Sequence, residues 1–475
     1  MKKTKVVCTI GPASEQKECL ERLIGTAGMN VMRMNFSHGD YEEQGFRIKN
    51  IRELNAEHGW HTGMILDTKG PEIRTGYLEN DEPVMLHKGD IIRVTMDYTF
   101  LGNKDKVAIS YAGLYEDIHV GGRILIEDGN LTLTVIEKDE ANHELVCRAE
   151  NDRKLKNKRN CNVPGVILNM PYISPKDKAD IEFACDQDLD FIAASFVRRA
   201  QDIADIREIL AAKGNDHIKI ISKIENQEGV SNMADIVRLS DGVMVARGDL
   251  GVDVDAWDLP TIQKDMIFLA QSQGKIIVTA TQMLDSMQTN PRPTRAEVSD
   301  VANAIYDRTT AIMLSGESAA GQYPLESVST MRDIACFTES DINFKARYHK
   351  NHLNLGEDFL SAICNAAVSS AYQVDAKAII CVTNHGLTAF KISAYRPECP
   401  VIAITVNEKA CRQLNLAWNV FPVYAEKKNT TDELFEYAIQ KALETKIVKT
   451  GDKVIITGAS TVGNAITDMI KLHIL

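Results

Sequence analysis

Residues 218–251, IKIISKIENQEGVSNMADIVRLSDGVMVARGDLG, decide the fold. Two short apolar runs rich in β-branched residues, IKIISKI and GVMVAR, flank a longer mixed stretch, and that alternation marks βα units feeding a parallel sheet. Six more such runs occur: KVVCTI, VMRMNF, GMILDT and FIAASF before this stretch, IIVTA and AIMLSG after it. Helix-like segments such as EQKECLERLIG, AQDIADIREILAAKG and LPTIQKDMIFLAQSQ lie between most of them, with Gly or Asn near their ends. Eight runs that are apolar throughout, as strands buried on both faces are, predict an α/β fold of the TIM (β/α)8-barrel type.

One interval breaks the rhythm. Between GMILDT and FIAASF lie over a hundred residues, and within them IIRVTMDYTF, GGRILIEDG, LTLTVIEKD and HELVCRAE alternate apolar with polar positions. Residues 71–165 therefore read as an inserted β-barrel domain, bounded by Pro71 and by Pro164-Gly165 as hinge candidates. An insertion after the third strand hangs over the C-terminal face of the barrel, where active sites of this fold lie, so it reads as a lid. The barrel domain then comprises 1–70 and 166–345. Beyond the polar stretch YHKNHLNLGED, the runs AIICVT, VIAITV and VIIT alternate with helical patterns and predict a C-terminal α/β domain over 346–475.

The charge balance narrows the partners. Asp plus Glu outnumber Lys plus Arg by 66 to 54, a formal charge of −12 in 475 residues. Such a surface repels phosphate backbones and anionic lipids, so no nucleic acid or membrane partner is expected, and an anionic substrate needs a local cationic pocket. Ten scattered cysteines without a C-x-x-C pair fit free thiols in a reducing, cytoplasmic compartment. No apolar run approaches a membrane span or a signal peptide.

Polar residues gather at the strand ends, where catalytic groups of this fold are found. The second strand ends in Arg33, Asn35, Ser37 and His38, and the third in Asp67 and Thr68, followed by Lys69, Glu72 and Arg74. Lys223 and Glu225 of SKIEN are two apart and project to the same side. Asp249 follows Gly248 in ARGDLG; the last two strands add Thr279, Thr281, Ser315, Glu317 and Ser318. Glu225 and Asp249, from neighbouring strands, suit one hard divalent ion such as Mg²⁺, which takes one or two carboxylates plus substrate oxygens. With Arg33 and Lys223 beside it, the set would neutralise a phosphoryl group in transfer. Asn35, Ser37, Asp67 and Thr68 suit a monovalent cation or, equally, a strand-end hydrogen-bond network. The ARGDLG turn is either a plain strand-to-helix connection or a receiver of a substrate carboxylate. Neither a P-loop nor a kinase glycine-rich loop is present, so a nucleotide must be held another way.

The segments MNVMRMNFSHG, LDTKGPEIRTG, IISKIENQEG, DGVMVARGDLGV, VTATQMLDSMQTNPRPTRAEVSDVANAI and MLSGESAAGQYP together resemble the pyruvate kinase family across almost the whole chain. The resemblance implies a barrel with an inserted lid and a C-terminal α/β domain. It also implies transfer of the phosphoryl group of phosphoenolpyruvate to ADP, Mg²⁺ or Mn²⁺ and K⁺ as cofactors, and a homotetramer. Matched by position, Glu225 and Asp249 would hold the divalent ion and Asn35, Ser37, Asp67 and Thr68 the K⁺. Lys223 and Arg33 would stabilise the moving phosphoryl group, Thr281 would help protonate the enolate, and Gly248 and Asp249 would adjoin the substrate. Asn35, His38, Arg74 and Arg199 would help hold ADP. Glu72 in TKGPE resembles the K⁺-requiring branch, whereas a lysine at this place would supply the charge internally.

The chain departs from the family pattern at Asp253, Asp255 and Trp257 after ARGDLGV, and at Arg308, where a glycine is usual before the eighth strand. Arg199 stands where many members have Lys. In the C-terminal part, TNHGLTA resembles the family's effector-phosphate loop, with Thr383, Gly386 and Thr388 as candidate contacts and His385 in place of a usual Ser or Thr. The later loop TGASTVGNAITDMI lacks the usual G-T-T stretch, so a sugar phosphate or a nucleotide monophosphate remains the expected class of activator.

Overall fold

The structure, a computed structural model, describes residues 1–351, 353, 355–461 and 466–475. The chain first lays down β1 (Lys5–Thr9), β2 (Val31–Asn35) and β3 (Gly63–Asp67). It then builds β4 (Ile73–Arg74), β5 (Val84–Leu86), β6 (Ile91–Thr95), β7 (Lys106–Ala108), β8 (Arg123–Ile126), β9 (Leu131–Asp139), β10 (Glu144–Ala149), β11 (Arg153–Leu155) and β12 (Asn160–Asn162). It returns with β13 (Phe191–Ala194), β14 (Lys219–Ile224), β15 (Gly242–Ala246), β16 (Ile276–Ala280) and β17 (Ala311–Leu314). It ends with β18 (Ala378–Val382), β19 (Val401–Thr405), β20 (Val420–Tyr424), β21 (Lys453–Gly458) and β22 (Met469–Ile474).

β1, β2, β3 and β13 to β17 close into a parallel barrel in the order β1-β17-β16-β15-β14-β13-β3-β2. The strands are apolar throughout because both faces are covered. Val7, Val31, Ile65, Phe191, Ile221, Met244 and Val278 fill the interior, while their neighbours Val6, Met32, Met64, Ile192, Ile220, Val243 and Ile277 face the surrounding helices. Leu416, from beyond β19, joins the interior cluster and closes the barrel at the N-terminal ends of its strands.

The inserted strands form a seven-stranded sheet, β4-β12-β8-β9-β10-β6-β7, and a separate pair, β11-β5. An isolated bridge between Thr75 and Ile109 joins the two edges of the larger sheet, which rolls it around its own apolar core. The third sheet runs β20-β19-β18-β21-β22, parallel except for β22. It packs against the N-terminal end of the barrel through Arg412 to Asp190 at 2.8 Å, Lys409 to Asp188 at 2.6 Å and Lys5 Nζ to the Val420 carbonyl at 2.6 Å. Every cysteine is a free thiol. Among the described residues no helix is long and apolar enough to cross a membrane.

Candidate active site

Side chains repeat every second residue along a strand, so each interior column can be followed upward. Val31 leads to Arg33 and then Asn35, Ile65 to Asp67, and Ile221 to Lys223 and then Glu225. The columns are apolar low in the barrel and charged at the C-terminal rim. Taking an ion out of water costs several kcal/mol even after relaxation, so such groups persist only where they pair closely.

They do pair. Arg33 Nε donates to Asp67 Oδ2 at 2.6 Å and Nη1 to Thr9 Oγ1 at 2.8 Å. Lys223 Nζ lies 3.0 Å from Asp67 Oδ1, 3.0 Å from Glu225 Oε1 and 2.7 Å from Ser195 Oγ. Lys223 is 8% exposed, and Asp67 and Glu225 are 1%. The other oxygen of Glu225 accepts the Phe196 amide at 2.6 Å, and Phe196 is turned to φ +54° to deliver it. Asp249 lies close enough to Glu225 for each carboxyl to influence the other's ionisation, which brings the two expected ion-binding carboxyls together.

The electrostatics follow from the count of charges. Arg33 and Lys223 face three carboxyls, Asp67, Glu225 and Asp249, so full ionisation leaves one negative charge in excess. Burial opposes charge on Asp67, but Arg33 and Lys223 outweigh it and hold the carboxyl below the usual range. Burial also opposes charge on Lys223, yet Asp67 and Glu225 keep its ammonium up at about 12. Burial pushes Glu225 up to about 7, and Asp249 adds to that shift; burial raises Asp249 as well. Two adjoining carboxyls held back from ionising are what a divalent cation relieves, so the donor set fits Mg²⁺ or Mn²⁺. Among the described residues no group of three or more His, Cys, Asp or Glu is arranged to hold a metal ion.

Thr281 closes another side. It and Gln282 both have positive φ, +64° and +52°, an unfavourable conformation for side-chain-bearing residues that needs support from around it. Arg247 supplies it, donating to the carbonyls of Ala280 at 3.3 Å, Thr281 at 2.7 Å and Gln282 at 3.3 Å while Asp300 anchors its guanidinium at 2.6 Å. The Gly248 amide donates to Thr281 Oγ1 at 2.8 Å, which ties the ARGDLG turn to the threonine.

The remaining candidates lie around this centre. Asn35 pairs in register with Asp67, and its Oδ1 accepts the Ser37 amide at 3.1 Å. Thr68 is buried beside Asp67, with its carbonyl 2.6 Å from Ser195 Oγ. Ser37 and His38 are exposed on the loop after β2. Glu72 holds Arg74 at 2.6 Å and Lys69 at 3.6 Å, and Arg199 pairs with Glu228 at 3.1 Å. A cavity of about 340 Å³ opens between the inserted sheet and the barrel, lined by Glu72, Asn160, Phe196, Asn226, Glu228 and Asp249 among others. Asp253 Oδ2 accepts the Gln227 amide at 2.6 Å, so this departure braces the turn after Glu225; Trp257 stands in solvent. Arg308 adopts φ +79°, the region a glycine enters freely.

Some strand-end polar groups serve the backbone instead. Glu317 accepts the amides of Leu284 and Ser315, Ser318 Oγ donates to the Thr9 carbonyl, and Thr279 bonds Thr309. Thr383, Gly386 and Thr388 lie apart from this centre, on the loop and helix after β18. Thr383 Oγ1 accepts the Gly386 amide at 3.1 Å, and the Thr388 and Thr467 hydroxyls meet at 2.7 Å. Within the later loop, residues 462–465 lie outside the described residues. Sequence reasoning missed Ser195, Thr9 and Arg247. Ser195 follows β13 directly, so the strand-end rule that selected its neighbours would have found it.

Buried cations and carboxyls converging at the strand ends of a parallel barrel, under an inserted sheet, define the class: an α/β-barrel phosphotransferase. Residues 1–328 match the family model described as the pyruvate kinase barrel domain, and residues 361–473 match the pyruvate kinase alpha/beta domain. The chain belongs to the pyruvate kinase family. It is 49% identical to a pyruvate kinase of Bacillus licheniformis and 48% to one of Geobacillus stearothermophilus, in both cases over 100% of this chain and 81% and 80% of those proteins. A crystal structure of a pyruvate kinase from Cryptosporidium parvum superposes with a TM-score of 0.94 at 39% identity, covering 100% of this chain and 96% of that one.

Proposed function

We infer that the rim network performs the family's reaction. The chain transfers the phosphoryl group of phosphoenolpyruvate to ADP, giving pyruvate and ATP. The observation that carries the assignment of roles is the single buried network joining Arg33, Asp67, Ser195, Lys223 and Glu225. Arg33 and Lys223 hold the transferring phosphoryl oxygens with positive charge fixed in advance by Asp67, so little reorganisation is needed as the bond breaks. A divalent ion on Glu225 and Asp249 would neutralise the charge on those same oxygens.

The backbone amides at the start of the helix Arg247–Asp253, beyond the Gly248 amide that Thr281 occupies, receive the substrate carboxylate. Thr281, fixed by that amide and by the Arg247 clamp, orders the water that delivers a proton to the enol carbon. Ketonisation of that enol makes the transfer strongly downhill, so positioning and shielding are what the protein must provide. Asn35, Ser37, Asp67 and Thr68 hold K⁺, a reading supported by Asn35 and Asp67 standing in register.

ADP binds at the barrel rim through Arg74, Arg199, His38 and Asn35, which stand outside the lining of the cavity beside Asp249, and residues 71–165 close over it about Pro71 and Pro164. Closure excludes water that would otherwise compete with ADP. Thr383, Gly386 and Thr388 form the activator loop for a sugar phosphate or nucleotide monophosphate, in a cytoplasmic homotetramer.

The test is pyruvate formation from phosphoenolpyruvate and ADP with Mg²⁺ and K⁺ withheld in turn. Product should require ADP and Mg²⁺ and rise sharply with K⁺. Pyruvate formed equally well without ADP or without a divalent ion would overturn the reading.

A further inference from the structure

The barrel and the C-terminal sheet also meet over three arginines. Arg308 lies in the turn ahead of β17, Arg347 in the helix Phe344–Asn351, and Arg396 in the loop ahead of β19. With Glu339 and Trp418 they line a cavity of about 10 Å³, room for one body about the size of a water molecule.

Arg396 is 6% exposed and lies 4.7 Å from the centre of the Trp418 ring. Its Nη2 donates to the Arg308 carbonyl at 2.7 Å and to Thr310 Oγ1 at 3.2 Å. Among the described residues its Nε and Nη1 find no hydrogen-bond partner although both are buried, which is costly for a charged group with five N–H donors. No carboxylate among the described residues is bonded to these two nitrogens. Glu339, which lines the same cavity, accepts the amides of Lys3 at 2.7 Å and Thr4 at 2.5 Å. Asp341 is engaged by the Tyr306 hydroxyl at 2.8 Å, and Arg347 Nη1 donates to the Tyr306 carbonyl at 2.9 Å. The Lys3 ammonium adds a further positive charge 5.6 Å from the Phe344 ring centre. Burial presses the pKa of Arg396 down and Arg308 adds to it, and burial with Arg347 does the same to Arg308.

We propose that this junction binds one monatomic anion of the size of chloride, held by a free N–H of Arg396 under the positive charges of Arg308 and Arg347, so that the ion links the barrel to the C-terminal sheet. The cavity is too small for phosphate or a carboxylate. Arg308 is held at φ +79°, where a glycine would rest without strain, and it contributes one of the three charges.

The test is thermal unfolding at constant ionic strength as gluconate, which is too large to enter, is exchanged for chloride. The melting temperature should rise to a plateau with chloride. In Arg308→Gly, which suits the backbone of that turn, the half-saturating chloride concentration should increase about tenfold or more while phosphoryl transfer is unchanged. A response that never saturates, or one identical in Arg308→Gly, overturns the proposal. Crystals of the unaltered protein soaked in bromide give a second measurement: an anomalous peak within hydrogen-bond reach of Arg396 supports the site, and a water alone at that position refutes it.

Discussion

Replacing Lys223 by methionine separates what the rim network does for stability from what it does for chemistry. Methionine keeps an unbranched stem and removes only the ammonium, which stands 2.7 Å from Ser195 Oγ and 3.0 Å from both Asp67 and Glu225. Removing one partner of a buried ion pair costs about 3–5 kcal/mol when the other charge stays stranded. Here neither carboxylate is stranded. Asp67 keeps Arg33 at 2.6 Å, and Glu225, already pushed to about 7, can retain its proton. The loss of folding stability should therefore be nearer the worth of one or two hydrogen bonds, about 1–3 kcal/mol.

Catalysis would have no such relief if the ammonium meets the phosphoryl oxygens as proposed, because methionine brings no charge to replace it. A fixed cation at that position is worth about 10³–10⁵ in turnover by analogy with other phosphoryl-transfer sites. The assay is steady-state pyruvate formation at saturating ADP, Mg²⁺ and K⁺, run beside thermal unfolding of the same preparation. A folded Lys223→Met enzyme turning over within about tenfold of the parent would refute the assignment of the phosphoryl group to this cation.

Three further outcomes follow from the same geometry. Folding raises the Glu225 pKa from its usual 4.5 to about 7, so this group's stabilising contribution is complete below the unfolded value and is lost as pH rises through about 7. Mg²⁺ must displace that proton, so the rise in melting temperature on adding Mg²⁺ should grow between about pH 6 and about pH 8, and a flat profile would contradict it. Thr281→Val keeps the side-chain shape but loses the hydroxyl that accepts the Gly248 amide; turnover should fall about 10²–10⁴-fold with the melting temperature nearly unchanged, and a loss below about tenfold would remove Thr281 from proton delivery. Glu72→Lys places an ammonium beside the proposed K⁺ ligands, so turnover in K⁺-free buffer should lie much closer to the K⁺-saturated rate than in the parent. An unchanged K⁺ requirement in that variant would sever Glu72 from the cation.

The eight barrel strands were legible because burial on both faces writes an uninterrupted apolar run into the sequence. The strands missed had no such signature. β4, β5, β7, β11 and β12 are two or three residues long, too short to show a period. β20 carries Pro422 and sits at a sheet edge, bonded only to β19, where proline is tolerated but disguises the strand. In the site, spacing by two linked Lys223 with Glu225, and position at the strand end picked out Arg33 and Asn35. Arg247 was illegible because it acts on the carbonyls of Ala280, Thr281 and Gln282, and carbonyls belong to every residue alike. The reverse error arose at Glu317, Ser318 and Thr279, which occupy strand ends yet satisfy backbone amides, a carbonyl and a neighbouring hydroxyl. A strand-end position locates a group on the active face, but only the partner decides whether it is available to a substrate.

That distinction divides the candidate site into two physical kinds. The groups assigned to the phosphoryl transfer, Arg33, Lys223 and Glu225, are buried, come from barrel strands or their immediate ends, and bond one another through Asp67 and Ser195. Their positions are fixed before any substrate arrives, which is what electrostatic stabilisation of a fleeting charge requires. The groups assigned to the nucleotide differ. His38 is exposed, Arg74 lies at the start of the inserted sheet, and the Arg199 guanidinium pairs with Glu228. Surface pairs of that kind are worth about 1 kcal/mol or less, so a polyphosphate can replace them at little cost. A rigid centre and an exchangeable rim are complementary demands: a centre that had to assemble would lose rate, and a rim locked in ion pairs would exclude ADP. The barrel satisfies both by taking the first from its interior columns and the second from the loops and the inserted domain above them.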